Sequence, residues 1–492
     1  MLWVLERRIN LENVVKTSSL AKYGSLALVL LLAACGGGGG NTSSTPNTGG
    51  VSATSFINWT WVNGGNTTFQ LGDYGVQSAP AVTNQPRALE GAVSWTDALG
   101  NLWMFGGGGI DSTTNSAGNS GDFNDMWKYN TTTKQWTWLT GTATLNQLGT
   151  YGVLGTAGAG NSPGARQYSS TWTDSAGDLW LFGGYVRTDV LSGSTAFAND
   201  LWKFNPVSNQ WTWINGSDLT NQIGSHGSIN VTSPSNVPSA RYGAVSWKDA
   251  SGIFWMFGGL GLDSTGATGY LNDLWKFDGA NWTWVSGAKT ISQVGVYGAK
   301  GIAALGNIPG GRSGAAGWKD ASNNLWLFGG YGFGSAGRGD LNDMWKFDGA
   351  KWTWVSGDNT TGQLGSYGTP GVASAISIPG ARRFSVTWTD NNGKFWLFGG
   401  ARYNASFNTD DYNDLWKFDG SNWIWMSGSN ATNQSGTYGP LGSTALANVP
   451  GARDVAVSWT DSNGKFWLFG GQGYDSLGSV GYLNDLWSFA VK

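Results

Sequence analysis

The chain has 492 residues, only 12% of them charged, with a formal net charge of −3, one histidine and one cysteine against 79 glycines and 31 tryptophans. A pI near 5.2 with lysines spread along the chain gives no basic patch, so nucleic acid is excluded as a partner. With one His and one Cys, zinc sites of the Cys/His type lack ligands, and a Ser-His-Asp triad would have to use His226.

In chain order, the first segment is of a different kind from the rest. Arg7, Arg8, Lys16 and Lys22 precede the apolar run Leu26–Leu32, which is too short to span a bilayer and has the length of a signal-peptide core. The run ends in Leu32-Ala33-Ala34-Cys35, which resembles the lipobox of bacterial lipoproteins. That resemblance implies cleavage before Cys35 and a lipid on it, hence a membrane partner through the anchor. Gly36 in place of an aspartate favours the outer over the inner membrane of a bacterial envelope. Gly36–Gly40 and the Ser/Thr/Asn/Pro stretch to Ser55 read as a flexible tether. The expected organisation is a signal peptide over 1–34, a tether over 35–55 and one folded body over 56–492.

Thirty of the 31 tryptophans in that organisation fall at five positions of a unit that recurs six times. The third copy reads Pro238-Ser-Ala-Arg241, Trp247-Lys-Asp249, Trp255-Met-Phe257-Gly258-Gly259, Asn272-Asp273-Leu-Trp275 and Trp282-Thr-Trp284. Period-2 alternation and Gly or Asp-Gly punctuation predict four strands, A to D, per unit. Short four-stranded sheets must stack around an axis to bury both faces, so the fold class is an all-β, six-bladed β-propeller of antiparallel blades. The last unit ends after its C strand, Leu486-Trp487-Ser-Phe489, while an orphan D strand, Trp59-Thr60-Trp61, precedes the first A strand. The orphan is predicted to complete the last blade and leave no open edge. The product is expected to be monomeric.

Spacing separates the two ends of the blades. From Pro to the A-strand Trp is 9 residues in all six copies and from A Trp to B Trp is 8, whereas B Trp to C Trp runs 24, 22, 20, 19, 20 and 20. Length variation thus concentrates in B–C loops, which with the D–A connections emerge on one face, and length-variable loops on a rigid scaffold are where binding resides. Each D–A connection carries Gln-x-Gly-x-Tyr-Gly, as at Gln147–Gly152, and is expected to be ordered. His226 stands at the Tyr position of the third copy and reads as a packing substitute for it.

Pro-x-x-Arg, a strand ending in Phe-Gly-Gly, Asn-Asp before strand C and Trp in strand D together resemble the kelch repeat of galactose-oxidase-like propellers, over about residues 56–492. The copper-radical oxidases of that superfamily need paired His and Tyr ligands and a Tyr-Cys crosslink, so the resemblance implies the fold without that chemistry. No cofactor or metal is expected; Asp111, Asp122 and Asp263 are weighed as an oxygen-ligand Ca²⁺ set and lack supporting spacing. A glycosidase pair would rest on aspartates, because Glu90 is the only glutamate after the tether.

Arg87, Arg166, Arg241, Arg312, Arg382 and Arg453 are expected as a ring at the channel mouth. They are read as structural partners of the strand-C aspartates rather than as an anion site. Ligand contacts are sought among non-repeated B–C loop residues: Tyr185, Arg187, Tyr331, Phe333, Arg338, Arg402, Tyr403, Tyr474 and Asp475. The reading favours an envelope-anchored, non-enzymatic recognition module for a glycan or protein partner. A sugar-active enzyme at the channel mouth and a purely architectural surface protein are the alternatives.

Overall fold

A computed structural model describes residues 57–111, 120–190 and 194–491, and the expected signal segment, Cys35 and tether lie outside them. Every regular element among the described residues is a β-strand. In blade 1, strand A is the broken pair Leu89–Glu90 and Val93–Thr96, followed by B (Leu102–Ile110), C (Ser120–Asn130) and D (Gln135–Thr140). The sheet order is A-B-C-D, and the other units repeat it to give six antiparallel blades. Thr60–Asn63 pairs with Val480–Phe489, Trp61 opposite Trp487, so an N-terminal D strand closes the ring by completing blade 6.

Each blade has two tiers, because the Phe-Gly-Gly element is a kink. Gly106 and Gly107 have φ of 69° and 103°, and the B–C register slips between Phe105 and Gly107. A Cβ on Gly107 would lie 2.9 Å from the Glu90 carbonyl oxygen, so only glycine lets the strands bend there. Beyond the kink the ladder resumes, from Gly107 opposite Phe123 to Ile110 opposite Ser120. In blade 3 the kink divides the sheet completely, leaving an upper tier of Arg241–Tyr242, Leu260–Leu262 and Thr268–Tyr270.

This corrects the expectation that the B–C segments are loops. Tyr185, Arg187, Tyr331, Phe333, Arg338, Arg402, Tyr403 and Tyr474 all lie in upper-tier strands, and only Asp475 of the candidates sits in a turn.

The lower tiers hold the ring together through six hydrophobic clusters, each shared by two neighbouring blades. Between blades 4 and 5, for example, Trp318, Trp326 and Phe328 meet Phe395, Trp416 and Trp423. The first Trp of every D strand is at most 2% exposed, a burial that contributes roughly 1.5–3 kcal/mol or more per ring. Indole N–H groups add direction: the strand-B Trp donates to the A–B turn aspartate in all six blades, as Trp326 to Asp320 at 2.8 Å. In five blades the strand-A Trp reaches the next blade, as Trp318 to the Trp396 carbonyl at 3.1 Å.

The D–A connections cover the outer edges. Each runs along the D strand of the blade it leads into, with amides such as Gly155 and Gly371 donating to the Trp213 and Trp425 carbonyls at 2.7 and 2.8 Å. At the axis a closed circle of amides joins the blades. Gly91 donates to Val455, Tyr168 to Gly91, Gly243 to Tyr168, Gly314 to Gly243, Phe384 to Gly314 and Val455 to Phe384, at 2.7–3.2 Å.

Candidate functional site

The upper segment of strand A is two residues long in five blades and narrows to a single bridge at Arg383 in blade 5, and alternation sends the side chains of the two positions to opposite sides. The first is the framework arginine, which turns into its own blade. Arg382 binds Asp414 bidentately at 2.6 and 2.8 Å and donates to the Gly399 and Gly380 carbonyls. Arg166, Arg241, Arg312 and Arg453 do the same with Asp200, Asp273, Asp343 and Asp485. Each of these carboxylates also accepts the strand-C indole and the group at the D–A tyrosine position, for Asp414 Trp416 at 2.7 Å and Tyr367 at 2.6 Å. Burial pushes the Tyr151, Tyr297 and Tyr367 hydroxyls well above the usual tyrosine range, with the adjacent carboxylate adding to the shift.

His226 occupies the tyrosine position in blade 3. It packs on Trp275 and Trp284 with ring centroids at 4.9 and 5.2 Å, and its Nε2 lies 3.3 Å from Asp273. Burial alone would raise the Asp273 carboxyl, but Arg241, with hydrogen bonds from His226 and Trp275, holds it well below the usual carboxylate range.

Blade 1 departs from the pattern and corrects the expected sixfold ring. Leu89, not Arg87, pairs opposite Gly109 where Arg241 pairs opposite Gly261. Arg87 stands two residues earlier, donates to the Ile110 and Ala143 carbonyls at 2.7 and 3.0 Å, and lies over the Phe123 ring at 3.9 Å. Asp125 therefore has no bidentate guanidinium; it accepts from Tyr74 and Trp127, and burial raises its carboxyl above the ordinary value. The sequence carries the signal, since the constant Pro-to-Trp spacing of 9 residues puts Leu89 three residues after Pro86, where the other copies have arginine.

The second residue of the segment differs in every blade: Glu90, Gln167, Tyr242, Ser313, Arg383 and Asp454. Cross-strand partners share a face, so each heads a triplet running outward across the upper tier, as Tyr242 with Leu260 and Tyr270, or Ser313 with Tyr331 and Asp340. Contacts between blades bring these faces together around the axis. Arg383 pairs with Asp340 at 2.7 Å and lies over the Tyr403 ring at 3.9 Å. Tyr331 packs between Tyr270 and Tyr403 at 5.6 and 5.5 Å, and Tyr242 between Tyr168 and Tyr185 at 5.7 and 5.4 Å. Burial raises the Asp340 carboxyl despite Arg383, and raises the Tyr242 hydroxyl. The mouth is thus aromatic on the side of blades 2 to 4 and carries Arg383, Asp454 and Glu90 on the other.

The candidates read from sequence divide accordingly. Tyr185, Arg187, Tyr331 and Tyr403 reach the axial assembly, Arg187 through a buried ion pair with Asp122 of blade 1 at 2.5 Å. Phe333 packs on Tyr270 at 6.3 Å, and the exposed Arg338 lies over Tyr331 at 5.8 Å. Arg402 pairs with Asp410 at 2.9 Å beside the mouth. Tyr474 ends its strand with its amide on the Ala452 carbonyl, and Asp475 caps its own turn through the Leu477 and Ser479 amides at 2.8 and 2.9 Å. Asp122 is taken by Arg187 and Gln167, Asp263 caps the Thr265 and Ala267 amides, and no metal-holding group of acidic, His or Cys residues forms among the described residues. Sequence reasoning missed Glu90, Gln167, Tyr242, Ser313, Arg383 and Asp454, whose one signal is that their position alone, in a segment of constant length, does not repeat.

No protein-family model matches the chain, and no curated protein matches it. Among solved structures, one titled "Structure of YjhT" is 15% identical, with a TM-score of 0.48, covering 82% of this chain and 96% of that one.

Proposed function

We propose that the protein is a recognition module that binds a glycan at the axial mouth, on the face built by the upper tiers and the D–A connections. The observation that carries this reading is the convergence of six unlike residues, Glu90, Gln167, Tyr242, Ser313, Arg383 and Asp454, on one axis held by six like blades. Aromatic rings beside carboxylate, amide and guanidinium groups suit a ligand with both apolar ring faces and many hydroxyls. The five arginines engaged by strand-C aspartates are framework, which supports binding at the axis over anion capture by an arginine ring. The kelch-like order of the repeat and the lipobox-like Cys35 extend the proposal to a monomeric module tethered by lipid to a bacterial envelope, on its outer membrane.

The test is a glycan array with the full chain, repeated with Glu90→Gln and Arg383→Ala. Retention of the same glycans by the unaltered protein and their loss in both variants is expected. Unchanged retention by both variants moves the site away from the axis. Turnover of a retained glycan, seen as a new mass, replaces this reading with that of a sugar-active enzyme at the same mouth.

A further inference from the structure

The circle of amides at the axis is carried by one residue per blade, and all six have positive φ. Gly91, Gly243 and Gly314 lie at 64°, 64° and 66°, Tyr168 at 58°, Phe384 at 54° and Val455 at 50°. Glycine adopts this region freely, whereas an aromatic or β-branched residue does so under strain. The backbone therefore favours glycine six times, and three blades depart from it.

The departures fit the glycines. A Cβ on Gly91 would lie 2.6 Å from the Tyr168 ring, and one on Gly314 would lie 3.0 Å from the Phe384 ring. Tyr168 and Phe384 come from blades 2 and 5, which face each other across a six-membered ring, and their ring centroids meet at 5.3 Å. Both line, with small residues such as Ala92, Ser169 and Ala315, a cavity of about 170 Å³, and the buried Tyr168 also packs on Tyr242 at the head of a triplet. Backbone strain of this kind gathers where a ligand is met.

Resting on the mouth as the binding site, we infer that Tyr168 and Phe384 are its floor and set its specificity. They select a ligand with a flat apolar face, a pyranose ring whose C–H side lies on the aromatic pair. Acyclic polyols carry the same hydroxyls without that face and are discriminated against.

The experiment titrates the full chain with cellotetraose, chitotetraose and acyclic glucitol, followed by ligand-observed NMR, with a thermal melt on each variant. Phe384→Leu and Tyr168→Leu keep apolar bulk and remove the ring face. They are expected to weaken the pyranose oligosaccharide that the unaltered protein prefers by about tenfold or more and to abolish its preference over glucitol. Should a leucine variant fail to melt cooperatively, Phe384→Gly, the residue three other blades carry there, gives the same reading on a backbone it fits. Affinity within about twofold of the unaltered protein in these variants overturns the inference. If Arg383→Ala abolishes binding while they do not, the floor is wrong and the mouth stands. If neither floor nor Arg383 variants alter binding, or no probe binds the unaltered protein, the mouth reading falls with it.

Discussion

Between the blades, six clusters repeat nearly the same tryptophans, phenylalanines and leucines, whereas around the axis six triplets share no common chemistry. The short upper segment of strand A holds both behaviours side by side, a repeated arginine facing inward to the blade in five copies and an unrepeated neighbour facing the axis. The difference shows that repetition in this chain reports a packing demand, made identically by each interface. Its failure at one position reports freedom from that demand.

The comparison can be broken first at the framework. Asp414→Ala should cost about 3–5 kcal/mol, because it strands the buried Arg382 guanidinium; chemical denaturation measures it, and a loss below about 1 kcal/mol would mean the pair is not framework. Asp125→Asn should cost at least about 2 kcal/mol less than Asp414→Asn, since blade 1 lacks the bidentate guanidinium. Equal losses would show that Arg87 substitutes for the missing partner through space. Next comes pH. Tyr151, Tyr297 and Tyr367 keep their protons in the fold above the ordinary tyrosine range. The unfolded chain releases them near pH 10, so it binds fewer protons there and stability falls as pH rises past that point. Absorbance of tyrosinate should appear for these residues together with unfolding, not before it. His226→Tyr restores the group used by the other blades and should change stability by no more than about 1 kcal/mol, read as a small rise in melting temperature. Smallest of all, Glu90→Gln, half-buried at the axis, should leave stability within about 0.5 kcal/mol while changing glycan retention.

Much of this is legible in the sequence. Trp59 and Trp61 before the first A strand, and a last unit ending at Phe489, predict the closure that Trp61 opposite Trp487 displays. The upper tier was hidden because Gly-Gly punctuates a strand in the same letters that end one; a register slip with positive φ continues the ladder where a turn is expected. Arg87 was misassigned by residue type when spacing already pointed to Leu89. The axial residues leave no mark in the spacing, for a different reason. Length variation marks where backbone is free to change, and Gln167, Tyr242 and Arg383 sit where backbone is fixed and only the side chain varies.

Closure by the first strand also sets how the molecule bears load. Trp59 is held among Trp388, Phe398, Trp487 and Phe489, and the connection ahead of blade 6 grips the same strand from outside through the Trp61 and Trp59 carbonyls. Tension applied at residue 57 enters a strand clasped on two sides at the seam, so it is shared between the beginning and the end of the chain. A pull would have to extract an interlocked indole before any blade could peel, which makes the N-terminal end of the ring its mechanical clasp.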